Sequence, residues 1–189
     1  MKIFRISFVR IACAMAVAAL SASLVSSCGD SASSGTAPEP PAPTDFEATA
    51  ADFECLLNWE RVRNIRVTNK LGFLEEALEL ARNPQPGIEY PPGTIIQLVP
   101  QEAMVKRGRD FDPENNNWEY FELVASDAGT QIRVRGRDDV QNQFGGQCFG
   151  CHADARDFDF LCDKGRGCVE LPLEDRTITA LQNADPRCN

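Results

Sequence analysis

The sequence predicts an α+β domain, a small antiparallel β-sheet with flanking helices. Three observations carry this expectation. Four β-type segments follow one another with turn chemistry between them. Two further stretches carry apolar residues at helical spacing. The apolar and charged fractions, 43% and 25% of 189 residues, are those of an ordinary globular chain with one core to bury.

Taken in order, Phe53, Leu56, Leu57, Val62 and Ile65 recur at near-helical intervals within Phe46 to Asn69, with Trp59 partly in register, and predict a first helix. A second is predicted over Leu71 to Arg82, where Leu71, Leu74, Leu78 and Leu80-Ala81 form a stripe that Asn83-Pro84 stops. After the Pro-rich turn from Pro84 to Pro92 the pattern changes. Thr94 to Val99, Glu102 to Arg107, Trp118 to Ala125 and Gln131 to Arg135 read as strands. Asp112 to Asn117 and Ser126 to Gly129 are turn-forming residues between them. Successive strands with short turns pair antiparallel. A short helix from Asp138 to Phe144 is expected to lead into a cysteine pair.

The N-terminus reads as an export signal. Lys2, Arg5 and Arg10 precede an uncharged apolar run from Ile11 to Val25, which is too short to span a bilayer comfortably. Leu24-Val25-Ser26-Ser27-Cys28 resembles a lipobox, with Cys28 as the lipidated first residue after cleavage. The alternative is ordinary cleavage nearby, leaving Cys28 free. By resemblance to bacterial lipoproteins, Gly29 after that cysteine favours outer-membrane sorting. The expected organisation is therefore a signal peptide over 1–27, a Ser/Pro-rich tether over 28–44 and a folded domain over 45–189. Losing 1–27 removes three of 19 basic residues and none of 28 acidic ones, so the formal charge moves from −9 to −12. Such a chain suits a basic or neutral partner and not nucleic acid or an anionic surface. Solubility alone is the simpler role for the charge.

There are eight cysteines. Cys13 leaves with the signal, Cys28 takes the lipid, and Cys148 and Cys151 belong to a motif considered next. Cys55, Cys162, Cys168 and Cys188 remain, an even number in an oxidising compartment, which suggests two disulfides. Three connectivities are possible. The preferred one closes a small loop with Cys162–Cys168 and ties the domain ends with Cys55–Cys188.

Cys148-Phe149-Gly150-Cys151-His152 is C-x-x-C-H. Two thiols at this spacing can add to the two vinyl groups of a haem, and the next residue supplies an imidazole to the iron. A zinc site would need two more ligands, and the chain has a single histidine. A thioredoxin-type pair would open a helix in a βαβ unit, which the pattern does not contain. A structural disulfide with a bystander histidine stays as the bland alternative. The expected cofactor is one covalent haem c per chain, with His152 as metal ligand.

For the sixth iron position, His152 being the lone histidine excludes a second imidazole from the same chain. Met104 is the sole methionine after export, and Lys70, Lys106 and Lys164 are the mature lysines. Met104 in a strand is more often core than ligand, so an open or water-occupied position is expected, with Met104 or Lys106 as alternatives.

Several pieces then align in one direction: Pro92-Gly93-Thr94 opening a strand, Met104-Val105-Lys106-Arg107, Asp112-Pro113 before Asn117-Trp118-Glu119-Tyr120-Phe121, C-x-x-C-H, and Asp157-Phe158-Asp159-Phe160. Over Tyr90 to Phe160 the sequence resembles the cytochrome P460 and cytochrome c′-β family. The resemblance implies a largely β haem domain with one haem face open to small molecules, and often a homodimer. It also implies that Leu98 stands where the P460 branch carries a lysine cross-linked to the haem, so that cross-link is expected to be absent. Glu102 falls where that branch uses a glutamate in proton transfer; the alternative is a surface glutamate at a strand start. Period two puts Glu102 and Met104 on one strand face. Arg133, Arg135 and Arg137 are candidate partners for haem propionates, or else a solvated strand face. The cysteines outside the motif and the segment before Tyr90 depart from the family pattern. Asp163 to Leu173 reads as a disulfide-stapled loop beside the haem.

Three functions follow as expectations. The first is an exported haem lipoprotein, periplasm-facing or at the outer membrane, that binds nitric oxide or a similar small ligand. The second is an oxidoreductase on small nitrogen compounds or peroxide. The third is an electron-transfer cytochrome with a redox partner protein.

Overall fold

A computed structural model describes residues 44–189, apart from 144, 164, 165, 167 and 170. The export signal, Cys28, the tether as far as residue 43 and Lys164 lie outside the described residues. No helix among the described residues is long and apolar enough to cross a membrane.

Six strands form one sheet in which each pairs antiparallel with the next: β1 (Glu60–Val62), β2 (Ile65–Asn69), β3 (Thr94–Gln97), β4 (Glu102–Lys106), β5 (Trp118–Ser126) and β6 (Gly129–Arg135). Among the described residues three short α-helices accompany it: α1 (Leu74–Arg82), α2 (Cys148–His152) and α3 (Asp175–Asn183). The fold class is α+β with an antiparallel meander, as the strand and turn pattern predicts.

Two predicted helices are not formed. Within Phe46 to Asn69 the chain makes two 3₁₀ turns, Ala50–Asp52 and Leu56–Asn58, and then the β1–β2 hairpin. Val62 pairs with Ile65 across Arg63-Asn64, and Arg63 takes a left-handed φ of 53° to close that turn. The apparent helical spacing arises because Phe53, Leu56 and Trp59 pack on one side of the sheet while Val62 and Val67 pack on the other. The described part of Asp138 to Phe144 is likewise loop, held by an isolated bridge between Gln141 and Gln147. Helix α1 begins at Leu74, three residues later than expected, because Asn69 Oδ1 accepts from the Leu71 and Phe73 amides and shapes a turn ahead of it.

Strand alternation sorts the core into two layers. Ile95, Ala103, Val105, Phe121 and Leu123 face one cluster with Phe53, Leu56 and Trp59. Ile96, Met104, Trp118 and Tyr120 face the other, with α1, Val140, Cys148, Phe160 and Leu161. Gly93 at the head of β3 has φ +81°, and a Cβ there would stand 2.6 Å from Leu71 Cγ. Its amide donates to the Lys106 carbonyl at 2.8 Å and its carbonyl accepts from Lys70 at 3.0 Å, so it starts the pairing of β3 with both neighbours.

Two disulfides are formed, Cys55–Cys188 across a sequence separation of 133 and Cys162–Cys168 across 6. Helix α3, which the sequence pattern did not reveal, is fixed by the buried side chain of Gln182. Its amide donates to the Asn64 carbonyl at 2.6 Å and the Leu98 carbonyl at 2.9 Å, and its oxygen accepts from Arg66 Nε at 2.9 Å. These bonds set α3 against the rim of the sheet that β1, β2 and the β3–β4 turn make.

Candidate functional site

Helix α2 is five residues long and consists of the C-x-x-C-H motif itself. Gln147 enters it extended, and a 3₁₀ turn from Ala153 to Phe158 continues it. At a spacing of three, Cys148 and Cys151 share a face of that turn. Both line a cavity of about 750 Å³, together with His152. This volume falls within the range of small-molecule and cofactor sites, roughly 300–1,000 Å³. Facing α2 across the space are Ile65, Ile96, Leu98, Glu102 and Met104 from the sheet, and Ile178 from α3 closes one side.

The imidazole of His152 is oriented by one strong bond, Nδ1 to the Phe160 carbonyl at 2.7 Å. A carbonyl only accepts, so Nδ1 carries the proton and Nε2 keeps its lone pair. The edge of the Tyr120 ring lies against it, with centroids 5.3 Å apart. Enclosure by protein pulls the imidazole below its ordinary pKa, which favours the neutral, ligating form. Both motif cysteines are free thiols. Burial pushes the Cys148 thiol up to about 12, and loss of solvation raises Cys151 as well. The Cys162–Cys168 disulfide packs on the Cys151 backbone, its sulfurs 3.7 and 3.6 Å from the Cys151 carbonyl oxygen. All three sulfurs lie within 4.8 Å of one another, but two are consumed in the disulfide, so the cluster offers one thiol and not a metal cage.

Glu102, at the start of β4, is half-buried and accepts the Gln143 amide at 2.8 Å. Removal from water raises its carboxyl pKa, and the directly paired Glu122 on β5 adds to the effect. Met104 is buried and lies opposite Ile96 and Tyr120. The Gln97 amide donates to the Glu102 carbonyl at 3.1 Å and closes the β3–β4 turn, which keeps Leu98 and Glu102 on the cavity wall. Thus Leu98 and Glu102, singled out by the resemblance, and Met104, singled out as the sole mature methionine, surround the same space as Cys148, Cys151 and His152.

Two alternatives that the sequence offered lie outside this space. Lys106 does not line the cavity. Its ammonium is held by both Asp159 oxygens at 2.8 and 2.9 Å and stands over the Trp118 ring. Arg133, Arg135 and Arg137 do not line it either. They pair with Glu122, with Glu119, and with Asp112 and Glu114 respectively. The arginines of the cavity are Arg63 and Arg176. Arg63 sits in the β1–β2 turn, pairs with Asp163 at 2.7 Å and donates to the Ala81 carbonyl at 2.7 Å. The helical reading of that stretch concealed the turn.

The residues present fit a covalently held haem. Two thiols and an imidazole with a fixed Nδ1–H converge on one wall of a space whose opposite wall is mostly apolar. No family model, no curated protein and no solved structure matches the chain.

Proposed function

We propose that this chain is an exported c-type haem lipoprotein of the cytochrome P460 and c′-β type, anchored through Cys28 and facing the periplasm or sitting at the outer membrane. In this reading it binds nitric oxide or a similar small ligand. The observation that carries the proposal is the convergence of Cys148, Cys151 and His152 on one cofactor-sized cavity, with the His152 Nδ1–H committed to a backbone carbonyl.

A haem held here would supply an iron centre able to bind small ligands. The chain's own residues do the rest. Cys148 and Cys151 would hold the cofactor by thioethers, their thiols adding across its vinyl groups, and His152 would ligate through Nε2. Ile96, Leu98 and Met104 give the facing wall an apolar stretch that favours neutral guests over charged ones. Glu102 holds a proton more readily than an exposed glutamate and can pass it to a guest at its carboxyl oxygens. Leucine at position 98 has no amine for a cross-link, which tilts the reading from hydroxylamine oxidation toward binding or electron transfer. A second reading, electron transfer with Met104 as ligand, is favoured by one observation: Met104 lines the same cavity. Oxidoreductase activity on small nitrogen compounds rests on Glu102 alone.

The test is expression of the full chain with a c-type haem maturation system, followed by intact mass measurement. A mass increase of one haem that survives denaturation supports the proposal. A chain that matures and exports without it contradicts the proposal.

A further inference from the structure

His152 depends on a carbonyl that the backbone presents in an unusual way. Asp159 and Phe160 both have left-handed φ, 52° and 58°, a region that side chains with a Cβ seldom enter and that a bulky aromatic enters least. Two such residues in succession persist only where their surroundings over-determine them. The surroundings here are specific. The Asp159 carboxylate, 2% exposed as a residue, accepts from Lys106 Nζ at 2.8 and 2.9 Å, from the Tyr90 amide at 2.6 Å and from Asn116 Nδ2 at 3.1 Å. Phe160 is buried beside it and stacks on Phe149 of the motif at 6.1 Å. Lys106, also 2% exposed, projects from the face of β4 that carries Glu102 and Met104.

We infer that Lys106 and Asp159 are positioning residues for His152: their buried ion pair clamps the strained Asp159–Phe160 turn so that the Phe160 carbonyl meets Nδ1–H. One strand thereby supplies the cavity wall through Glu102 and Met104 and orients the opposite side through Lys106. The inference rests on the haem reading for its consequence, because a firm Nδ1–H···O bond gives the ligating nitrogen more anionic character and favours the oxidised iron. Loosening the clamp weakens that bond and raises the reduction potential.

The experiment compares the haem-loaded full chain with Lys106→Met, with the milder Asp159→Asn, and with Glu119→Gln. Glu119→Gln breaks the ion pairs of a buried carboxylate with Arg107 and Arg135 on the other face of the sheet and serves as the control for lost stability. The expected result is a shift in the one-electron equilibrium of about tenfold toward the reduced form in both clamp variants, about 59 mV, with no shift in Glu119→Gln. If Lys106→Met does not fold, Asp159→Asn carries the same comparison. Potentials that stay at the unaltered value, or that move equally in Glu119→Gln, overturn the inference. If the unaltered chain takes up no haem, the haem reading itself has failed, and the clamp is read instead on the haem-free chain by nitrogen NMR of His152. Loss of the single Nδ1-protonated tautomer in the clamp variants supports the clamp, and an unchanged ring spectrum overturns it.

Discussion

The two faces of the sheet are built from alternate residues of the same strands, yet they are finished differently. On one face Phe121 packs on Phe53 with ring centroids 5.0 Å apart, and Glu119 is shared by Arg107 and Arg135 at 2.7 and 2.6 Å. Cys55–Cys188 pins the N-terminal turns to the chain end on that side. On the other face the side chains stop short of α2 and α3 and leave about 750 Å³ between them. Close packing of a protein interior is the default, because voids forfeit dispersion contacts. This space, lined by apolar and charged side chains and bordered by two thiols and an oriented imidazole, is the one the proposed haem would occupy. The sealed face holds the strands in place; the hollow face spends that rigidity on a site.

Variants on the two faces should separate these roles. The largest effect is expected from Cys148→Ala with Cys151→Ala, which should abolish covalent haem while leaving the haem-free chain folded by circular dichroism. Next comes Phe121→Ala on the sealed face. Its fully buried ring predicts a loss of about 3–5 kcal/mol in urea unfolding, and haem uptake should fall only in proportion to unfolded chain.

Two carboxylates should give smaller effects with opposite pH dependence. Burial raises the Glu102 pKa above its ordinary 4.5, so its favourable contribution is complete below 4.5 and disappears as pH rises through the folded value. Glu102→Gln should therefore gain stability at pH 7 relative to pH 4, measured as the shift in urea midpoint. Asp45 behaves in the opposite sense. Hydrogen bonds from Arg107 hold its carboxyl down at about 2, from 3.8, so its contribution is present above 3.8 and is lost as pH falls toward 2. The side chain is 49% exposed, and solvent screening keeps the loss in Asp45→Asn below about 1 kcal/mol. Equal pH slopes in the two variants would erase the contrast between the faces.

Much of this contrast was legible in the sequence. The run from β3 to β6 showed itself through alternation and turn residues, and Leu98, Glu102 and Met104 were singled out before their shared cavity was visible. Of the three connectivities open to the four cysteines, the preferred one, Cys162–Cys168 with Cys55–Cys188, is the one formed. The β1–β2 hairpin was hidden because Phe53, Leu56, Val62 and Ile65 have spacings that suit one helix face as well as two faces of a sheet. Helix α3 was hidden because it buries little beyond Ile178 and Gln182, and a buried glutamine leaves no apolar stripe. The arginines of β6 could not be assigned from spacing, since their partners Glu119 and Glu122 lie on a neighbouring strand. The role of Lys106 was equally invisible, because Asp159 is 53 residues away.

The most direct test is the absorption spectrum of the matured protein, ferric and ferrous, with and without nitric oxide. An open iron site predicts a high-spin ferrous spectrum that changes when the gas is added, and no haem spectrum at all in Cys148→Ala with Cys151→Ala. A sharp low-spin spectrum indifferent to the gas would contradict the open site, and a matured chain with no haem absorption would contradict the site altogether.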